Sequence, residues 1–253
     1  MEYSNPPAAP VIVVDGLALT YQSAEGETEA VADISFSVNE GEIVSMIGPS
    51  GCGKSTILSI VSGLLAPTSG SVSLRDGGRI GYMLQKDSLF PWRTIYKNVT
   101  LGSEITGESC VGCAEQLLKT YGLWEFRDSF PSQLSGGMRQ RAALIRTLAV
   151  SPSLLLLDEA FSALDYQTRL AVADDIHSII RREKKTALMV THDISEAIAM
   201  SDRVIVLTRR PARIKSVYRI DFGDPRPSPL KCRDHPSFRE YFNSIWRDID
   251  AHV

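Results

Sequence analysis

The chain has 253 residues, enough for one large domain or two small ones around a buried core. Hydrophobic residues make up 43% of the chain and charged residues 23%, which excludes a largely disordered or a fibrous protein. Lys and Arg number 27 against 30 Asp and Glu, a net charge of -3. Because nucleic-acid binders usually carry a basic excess or stripe, we expect no nucleic-acid partner.

The chain offers no candidate for a membrane span or an export signal. Its longest apolar runs, such as residues 154–157 and 204–207, are far short of the ~20 residues that a spanning helix needs. The first ten residues contain Glu2 and no Lys or Arg, unlike the basic start of a signal peptide. We therefore expect a cytosolic protein whose cysteines are free thiols without an assigned function. They are Cys52, Cys110, Cys113 and Cys232.

The first half of the chain changes from a strand pattern to a helix pattern. Apolar residues predict strands at 11–14, 17–21, 34–38 and 42–47, and the glycine-rich residues 48–53 follow the last of them. Helical spacing then predicts a helix over 55–65, and two more strands are predicted at 71–74 and 80–84. Between residues 96 and 150 the pattern is helical, most clearly at 114–121 and 136–150.

The second half alternates strands with helices. The apolar run at 154–157 is typical of a central strand buried on both faces, and 170–180 carry one apolar helical face. Strands are predicted at 187–191 and 204–208, on either side of a helix at 194–200. The fold predicted is therefore a largely parallel α/β core, preceded by an antiparallel β portion and interrupted by a helical insertion at about 96–150.

The last thirty residues differ from the rest. Pro225, Pro227 and Pro229 are expected to prevent any regular element there, and a helix is predicted to begin near Pro236. The apolar face of that helix either packs on its own domain, which we favour, or recruits a partner protein. Its members are Phe238, Tyr241, Phe242, Ile245, Trp246 and Ile249.

A phosphate-binding loop lies between a predicted strand and a predicted helix. Residues 48–55, GPSGCGKS, match the pattern G-x-x-x-x-G-K-[ST], in which backbone N–H groups and a helix N-terminus surround phosphate oxygens. Lys54 is expected to bind the β- and γ-phosphates, and the Ser55 hydroxyl to bind Mg²⁺. The nucleotide-binding residues predicted here are Gly48, Ser50, Gly51, Cys52, Gly53, Lys54, Ser55 and Thr56.

A pair of acidic residues forms the second part of this candidate site. Residues 154–159, LLLLDE, end a buried strand with Asp158, whose carboxylate can hold Mg²⁺ directly or through water. Glu159 follows, where it could polarise a water for attack on the γ-phosphorus. An apolar run ending in Asp-Glu is a weak signal alone, but a strong one about a hundred residues after a phosphate-binding loop.

Between these two motifs, residues 134–138, LSGGM, followed by RQR, resemble the signature of the ATP-binding-cassette (ABC) ATPases. Further marks of that family occur in the expected order along the chain. They are Tyr21 as the aromatic that stacks on adenine, Gln85 as the Q-loop glutamine, residues 162–165 as the D-loop and His192 as the switch histidine. The resemblance covers residues 11–222 and leaves 223–253 as a proline-rich linker and an amphipathic C-terminal helix. It implies an α/β P-loop NTPase (RecA-like) core with an N-terminal antiparallel β portion and an inserted helical subdomain.

The resemblance also implies an activity and its residues. ATP and Mg²⁺ are the expected ligands, with Glu159, His192 and Gln85 in catalysis. Ser55, Gln85 and Asp158 are the expected metal ligands.

A head-to-tail homodimer closed by ATP is implied as well. In such a dimer Ser135, Gly136 and Gly137 of one subunit contact the nucleotide held by the other. Physically, the N-terminus of the helix after Ser135 would supply a second anion-binding end.

Several features point to a branch of the family. Met138 stands where Gln is usual, as in importers resembling the nitrate, sulfonate and taurine group, and residues 89–94 and 234–238 resemble the same group. Importers of thiamine precursors and riboflavin-like solutes share these features, so the solute is left open. A soluble, non-transport ABC ATPase remains an alternative. A P-loop nucleotide kinase would not explain residues 134–138 or His192.

Transport would require other proteins. We expect integral membrane permease subunits, an extracytoplasmic solute-binding protein acting indirectly, and a place at the cytoplasmic face of the cell membrane. The segment 85–98 carries Phe90, Trp92 and Ile95. These residues either pack within the helical subdomain or line a groove for a permease helix.

Overall fold

A computed structural model describes residues 9–23, 26–107 and 111–250. The strands, in chain order, are β1 (Pro10–Ser23), β2 (Gly26–Asn39), β3 (Ile43–Ile47), β4 (Ser69–Leu74), β5 (Ile80–Met83), β6 (Leu154–Asp158), β7 (Thr186–Val190), β8 (Arg203–Leu207) and β9 (Ile214–Arg219). The helices are α1 (Lys54–Val61), α2 (Ile95–Val99), α3 (Leu101–Thr106), α4 (Val111–Thr120), α5 (Gly136–Leu148), α6 (Tyr166–Arg182), α7 (Ile194–Met200), α8 (Pro229–Cys232) and α9 (Pro236–Asp250).

A small antiparallel sheet is built on the two longest strands. Its order is β2-β1-β4, and both neighbours of β1 run antiparallel to it. One face of this sheet packs into the protein, and Ile12, Val14 and Ile34 are almost completely buried there. This confirms the predicted antiparallel β portion.

A six-stranded sheet forms the centre, in the order β5-β6-β7-β3-β8-β9. The first five strands are parallel, and β9 pairs antiparallel with β8 at one edge. All five residues of β3 and of β7 are buried, as expected of parallel strands covered on both faces. Because the carboxyl ends of parallel strands meet at one edge, this edge is where a ligand site is expected.

The helical insertion lies between β5 and β6 in the chain. It contains α2, α3, α4 and α5, and α5 packs against α2, α4 and α6. One apolar cluster runs through this contact, from Leu118 of α4 across Ile145 of α5 to Ile176 of α6. The predicted helical segments 114–121 and 136–150 are confirmed to within a few residues.

Two parts of the C-terminal third differ from the prediction. Strand β9 was not predicted. The expectation that the prolines prevent any regular element is wrong at Pro229, which begins the one-turn helix α8. Proline is tolerated there because the first N–H groups of a helix have no intrahelical partner to lose.

The C-terminal helix α9 packs on β8, β9 and α7, which confirms the favoured interpretation of its apolar face. Ile245 is fully buried in this contact, and Phe238, Tyr241, Phe242 and Ile249 are partly buried. The Asp248 carboxylate accepts hydrogen bonds from the hydroxyl groups of Tyr218, at 2.7 Å, and Ser216, both on β9. These bonds fix the helix on its neighbouring strand.

Within the described ranges, no helix is both long and apolar enough to cross a membrane. Cys52 and Cys232 are buried and Cys113 is exposed, all three as free thiols, as predicted. Cys110 and residues 1–8 lie outside the described residues.

Candidate nucleotide site

The phosphate-binding loop joins β3 to α1 at the carboxyl edge of the central sheet. A side chain at Gly48 would meet the Cys52 sulfur and the Leu207 backbone oxygen at 3.1 Å, so only glycine fits this position without displacement. Gly53 has a φ of 120°, a conformation that other residues rarely adopt. The two glycines allow the backbone to turn tightly around the Lys54 amine, which donates to the oxygens of Gly48 at 2.8 Å and Pro49 at 3.0 Å.

A hydroxyl and a carboxylate face each other beside this loop. Ser55 Oγ donates to Asp158 Oδ1 at 3.2 Å, and the Tyr82 hydroxyl donates to Asp158 Oδ2 at 3.3 Å. Burial raises the pKa of Asp158 above its ordinary value, while these two hydrogen bonds oppose the rise. Burial and the neighbouring Asp158 in turn raise the pKa of Tyr82 to about 12, so this phenol stays a hydrogen-bond donor at neutral pH.

The donor set fits Mg²⁺. Among the described residues no group of three or more His, Cys, Asp or Glu side chains could hold a metal by itself. Mg²⁺ is commonly bound through one or two carboxylates together with waters and substrate phosphates, and does not need a cage made only of protein. The Ser55–Asp158 pair, next to a phosphate-binding loop, matches that requirement.

Three predicted catalytic side chains come together beyond the end of β6. Glu159 Oε2 lies 3.2 Å from His192 Nδ1 and accepts a long, 3.5 Å hydrogen bond from Gln85 Nε2. Gln85 Nε2 also donates to Ser162 Oγ at 3.1 Å. Glu159 has a φ of 45°, and its N–H donates to the Val190 oxygen at 2.9 Å. Non-glycine residues at positive φ are uncommon and often cluster at active sites.

Glu159, His192 and the phosphate-binding loop border an open cavity of about 570 Å³. It is lined by Ser50, Gly51, Gly53, Lys54, Ser55, Thr56, Glu159, His192 and Arg210. Arg210 was not predicted. It follows β8, the strand beside β3, and that position at the carboxyl edge is the one signal by which the sequence could have indicated it.

Other predicted residues lie near the cavity without lining it. Gly48 and Cys52 lie close to each other within the phosphate-binding loop. Gln85 and Asp158 contact residues that do line the cavity. Tyr21 is 43% exposed, and its hydroxyl is 3.4 Å from Thr56 Oγ1. A tyrosine ring is therefore available at the Thr56 end of the loop.

The signature residues belong to a different surface of the chain. Ser135 caps α5, its hydroxyl accepting from the Met138 N–H at 3.3 Å, and none of Ser135, Gly136 and Gly137 lines the cavity. A side chain at Gly137 would meet Val172 at 2.8 Å, so this glycine also allows α5 to approach α6 closely.

Arginines of α5 connect the signature segment to the segment that follows Gln85. Arg139 Nε is 3.0 Å from Asp87 Oδ2, and its Nη1 donates to the Leu134 oxygen at 2.7 Å. Arg146 donates to the backbone oxygens of Ser88 at 2.7 Å and Asp87 at 3.0 Å. Residues 87–88 are thereby fixed to α5 at several points.

Comparison with known proteins agrees with this geometry. The ABC transporter family model matches residues 31–162. The ABC transporter ATP-binding protein YtlC of Bacillus subtilis is 45% identical over 249 residues, covering 94% of this chain and 95% of YtlC. The taurine import ATP-binding protein TauB of Roseobacter denitrificans is 37% identical over 257 residues, covering 95% of each chain.

Solved structures give the same answer. The dimeric structure of the bacterial ABC transporter cassette MJ0796 matches with a TM-score of 0.69 at 31% identity, covering 84% of this chain and 100% of that one. A second dimeric structure of MJ0796, a post-hydrolysis state bound to ADP and Pi, matches equally well at 30% identity. The motifs, the fold and these relatives agree, and the chain belongs to the ABC transporter family as an ATP-binding cassette with the P-loop NTPase fold.

Proposed function

We propose that this chain hydrolyses ATP to drive solute uptake through separate membrane subunits. The observation that carries the proposal is the convergence on one cavity of a phosphate-binding loop, a hydroxyl–carboxylate pair and a carboxylate beside a histidine. Lys54 and the loop amides would bind the β- and γ-phosphates. Tyr21 would stack on adenine, which needs only an exposed aromatic face near Thr56.

Glu159 is the proposed general base. It would take a proton from a water as the water oxygen attacks the γ-phosphorus and the bond to the β-phosphate oxygen breaks. His192 and Gln85 are near enough to Glu159 to orient this carboxylate and the attacking water. Ser55, Asp158 and Gln85 would hold Mg²⁺. The bound ion would neutralise part of the phosphate charge.

A shared site between two copies of the chain completes the proposal. Ser135, Gly136 and Gly137 do not line their own cavity, although their helix N-terminus is suited to bind an anion. A head-to-tail homodimer would bring them to the nucleotide of the partner and exclude water from it. The dimeric structures of MJ0796 support this arrangement.

The proposed solute class and partner proteins are based on similarity to known importers. TauB is named as a taurine import protein, and Met138 and residues 89–94 resemble the nitrate, sulfonate and taurine group. We propose such a solute, integral permease subunits, an indirect extracytoplasmic binding protein and the cytoplasmic face of the membrane. Residues 11–222 would form the ATPase domain, with a helical subdomain at about 96–150, and 223–253 the linker and terminal helix.

Uptake of labelled taurine, nitrate and thiamine precursors by cells lacking the gene would separate the alternative solutes. Normal uptake of all of them would favour a non-transport ATPase.

The catalytic assignment is tested with Glu159→Gln. We expect this variant to bind ATP, to lose roughly 10²–10⁴-fold in turnover, and to accumulate as a dimer with bound ATP. Glu125→Gln, a change of the same type at an exposed position, is the matched control and should behave as the parent. Phosphate release and size-exclusion chromatography with ATP measure the two effects. Near-normal turnover of Glu159→Gln would refute its role as the base.

A further inference from the structure

The loop between β8 and β9 brings an arginine to the nucleotide cavity. Strand β8 pairs with β3, with Val206 opposite Ile47, so this loop leaves the sheet beside the phosphate-binding loop. Arg210 lines the cavity, and its Nη2 donates to the Gly51 oxygen at 3.1 Å. The cavity therefore receives residues from the ends of four adjacent strands, β6, β7, β3 and β8.

The loop is held in place by several hydrogen bonds. Thr208 N–H donates to the Arg213 oxygen and Arg213 N–H to Thr208 Oγ1, both at 2.9 Å. Ala212 exchanges two backbone bonds with β2, donating to the Ala30 oxygen at 2.9 Å and accepting from Ala32 N–H at 3.0 Å. Arg210 is therefore presented from an ordered loop, which lowers the entropy cost of any contact it makes.

Arg210 differs from Lys54 in its exposure and in its hydrogen-bond partners. Lys54 is only 6% exposed, and its amine donates hydrogen bonds to two oxygens of its own loop. Arg210 is exposed at the cavity wall, and the Gly51 oxygen takes only one of the five N–H donors that a guanidinium carries. Burial raises the pKa of Cys52 in this loop, and the positive charges of Lys54 and Arg210 oppose that rise.

We propose that Arg210 is a second phosphate-binding cation of this cassette, whose guanidinium binds oxygens of the nucleotide's terminal phosphates. This inference rests on the proposed binding of ATP in the same cavity. A guanidinium suits the purpose because its planar fork can donate two parallel hydrogen bonds to one phosphate, whereas an ammonium acts as a point charge.

The test compares Arg210→Gln with Arg209→Gln, a matched control one residue away whose side chain does not line the cavity. Titration calorimetry on the full-length chain with Mg²⁺ measures ATP affinity, and inorganic tripolyphosphate serves as a competitor without base or sugar. For Arg210→Gln we expect both affinities to fall about ten- to 150-fold, the range for losing a hydrogen bond to a charged group. Arg209→Gln should keep both affinities, and Arg210→Lys should regain part of the loss. The melting temperature without nucleotide should stay as in the parent.

Each contrary result has its own meaning. Parental affinity of Arg210→Gln, with Lys54→Ala clearly weakened, would overturn this inference and leave ATP binding intact. If Lys54→Ala also bound ATP normally, the proposed function itself would fail. Weaker ATP binding with unchanged tripolyphosphate competition would assign Arg210 to the base or sugar, and an equal loss in Arg209→Gln would make the effect nonspecific. Unchanged affinity with weakened dimerisation would make Arg210 a subunit contact. A loss confined to ATP, an equal loss in Arg209→Gln and a loss confined to dimerisation would each overturn the inference.

Discussion

A buried glutamate under the His192 loop should make the stability of this protein depend on pH. Glu196 in α7 is 5% exposed and accepts a hydrogen bond from Thr191 Oγ1 at 2.9 Å. Within the described residues its other oxygen, Oε1, has no hydrogen-bond partner. Burial, with a smaller contribution from Asp193, raises the pKa of Glu196 from 4.5 to about 7, although the Thr191 hydrogen bond and nearby arginine charges oppose the rise.

The direction of the effect follows from the raised pKa. Between pH 4.5 and pH 7 the folded protein holds a proton on Glu196 that the unfolded chain releases. The stabilisation due to this proton is therefore complete below pH 4.5, is lost as the pH rises to about 7, and does not change further above that. A shift of this size corresponds to a free energy on the order of 3 kcal/mol, since each pKa unit corresponds to about 1.4 kcal/mol.

Glu196→Gln removes this titration and keeps an oxygen for the Thr191 hydroxyl. We measure the free energy of unfolding with urea at pH 5 and pH 8. Its change between the two pH values should differ between variant and parent by up to about 3 kcal/mol, mostly because the variant is more stable than the parent at pH 8. The exposed Glu125→Gln variant should match the parent. If the stability of Glu196→Gln and that of the parent change by the same amount between these pH values, Glu196 does not titrate in this range and the reasoning fails.

Two further predictions concern assembly. Mixing Lys54→Ala chains with Ser135→Arg chains should partly restore ATPase activity, because a shared head-to-tail dimer then contains one site with neither defect; mixed dimers without any recovery would contradict a shared site. Trp92 is 72% exposed, with Phe90 partly covering its ring at a centroid distance of 5.1 Å, so Trp92→Ala should leave the melting temperature nearly unchanged while co-purification with the permease and transport fall sharply. Trp246→Ala, at a tryptophan of α9 that is 51% exposed, is the control. A destabilised Trp92→Ala chain that still binds its permease would refute a groove for a permease helix at residues 85–98.

The central strands could be predicted because their environment leaves a clear pattern. A parallel strand covered on both faces needs apolar residues throughout, and β6 at 154–158 has such a run up to Asp158. The edge strand β9 has no such requirement, since in the described sheet it pairs with β8 alone and its residues are partly buried or exposed. Its mixed sequence at 214–219 gave no comparable signal. Ile95 was grouped with Phe90 and Trp92 in the sequence but is fully buried, because it begins α2, which packs on α5, whereas Phe90 and Trp92 precede that helix.

The parts of the site that escaped prediction depend on contacts between distant segments. Arg210 is 159 residues from Gly51, and nothing in the local sequence of 208–213 indicates a neighbour so far away. Glu196 likewise reads as an ordinary polar residue of an amphipathic helix, whereas α7 is buried on nearly all sides between the sheet and the C-terminal helices. Its charge state is set by that packing, which the helical pattern alone does not contain.

Strand order explains why motifs scattered over the whole chain can serve one site. Strand β3 comes first of the parallel strands in the chain but lies between β7 and β8 in space. The phosphate-binding loop therefore has His192 on one side and Arg210 on the other, and Glu159 follows one strand beyond His192. Gln85 follows β5, the strand next to β6, and contacts Glu159. Asp87, two residues later, is held to α5 by Arg139. Contacts therefore connect Gln85 near the cavity, through Asp87 and Arg139, with the signature helix α5, whose N-terminus is the surface proposed for the partner subunit.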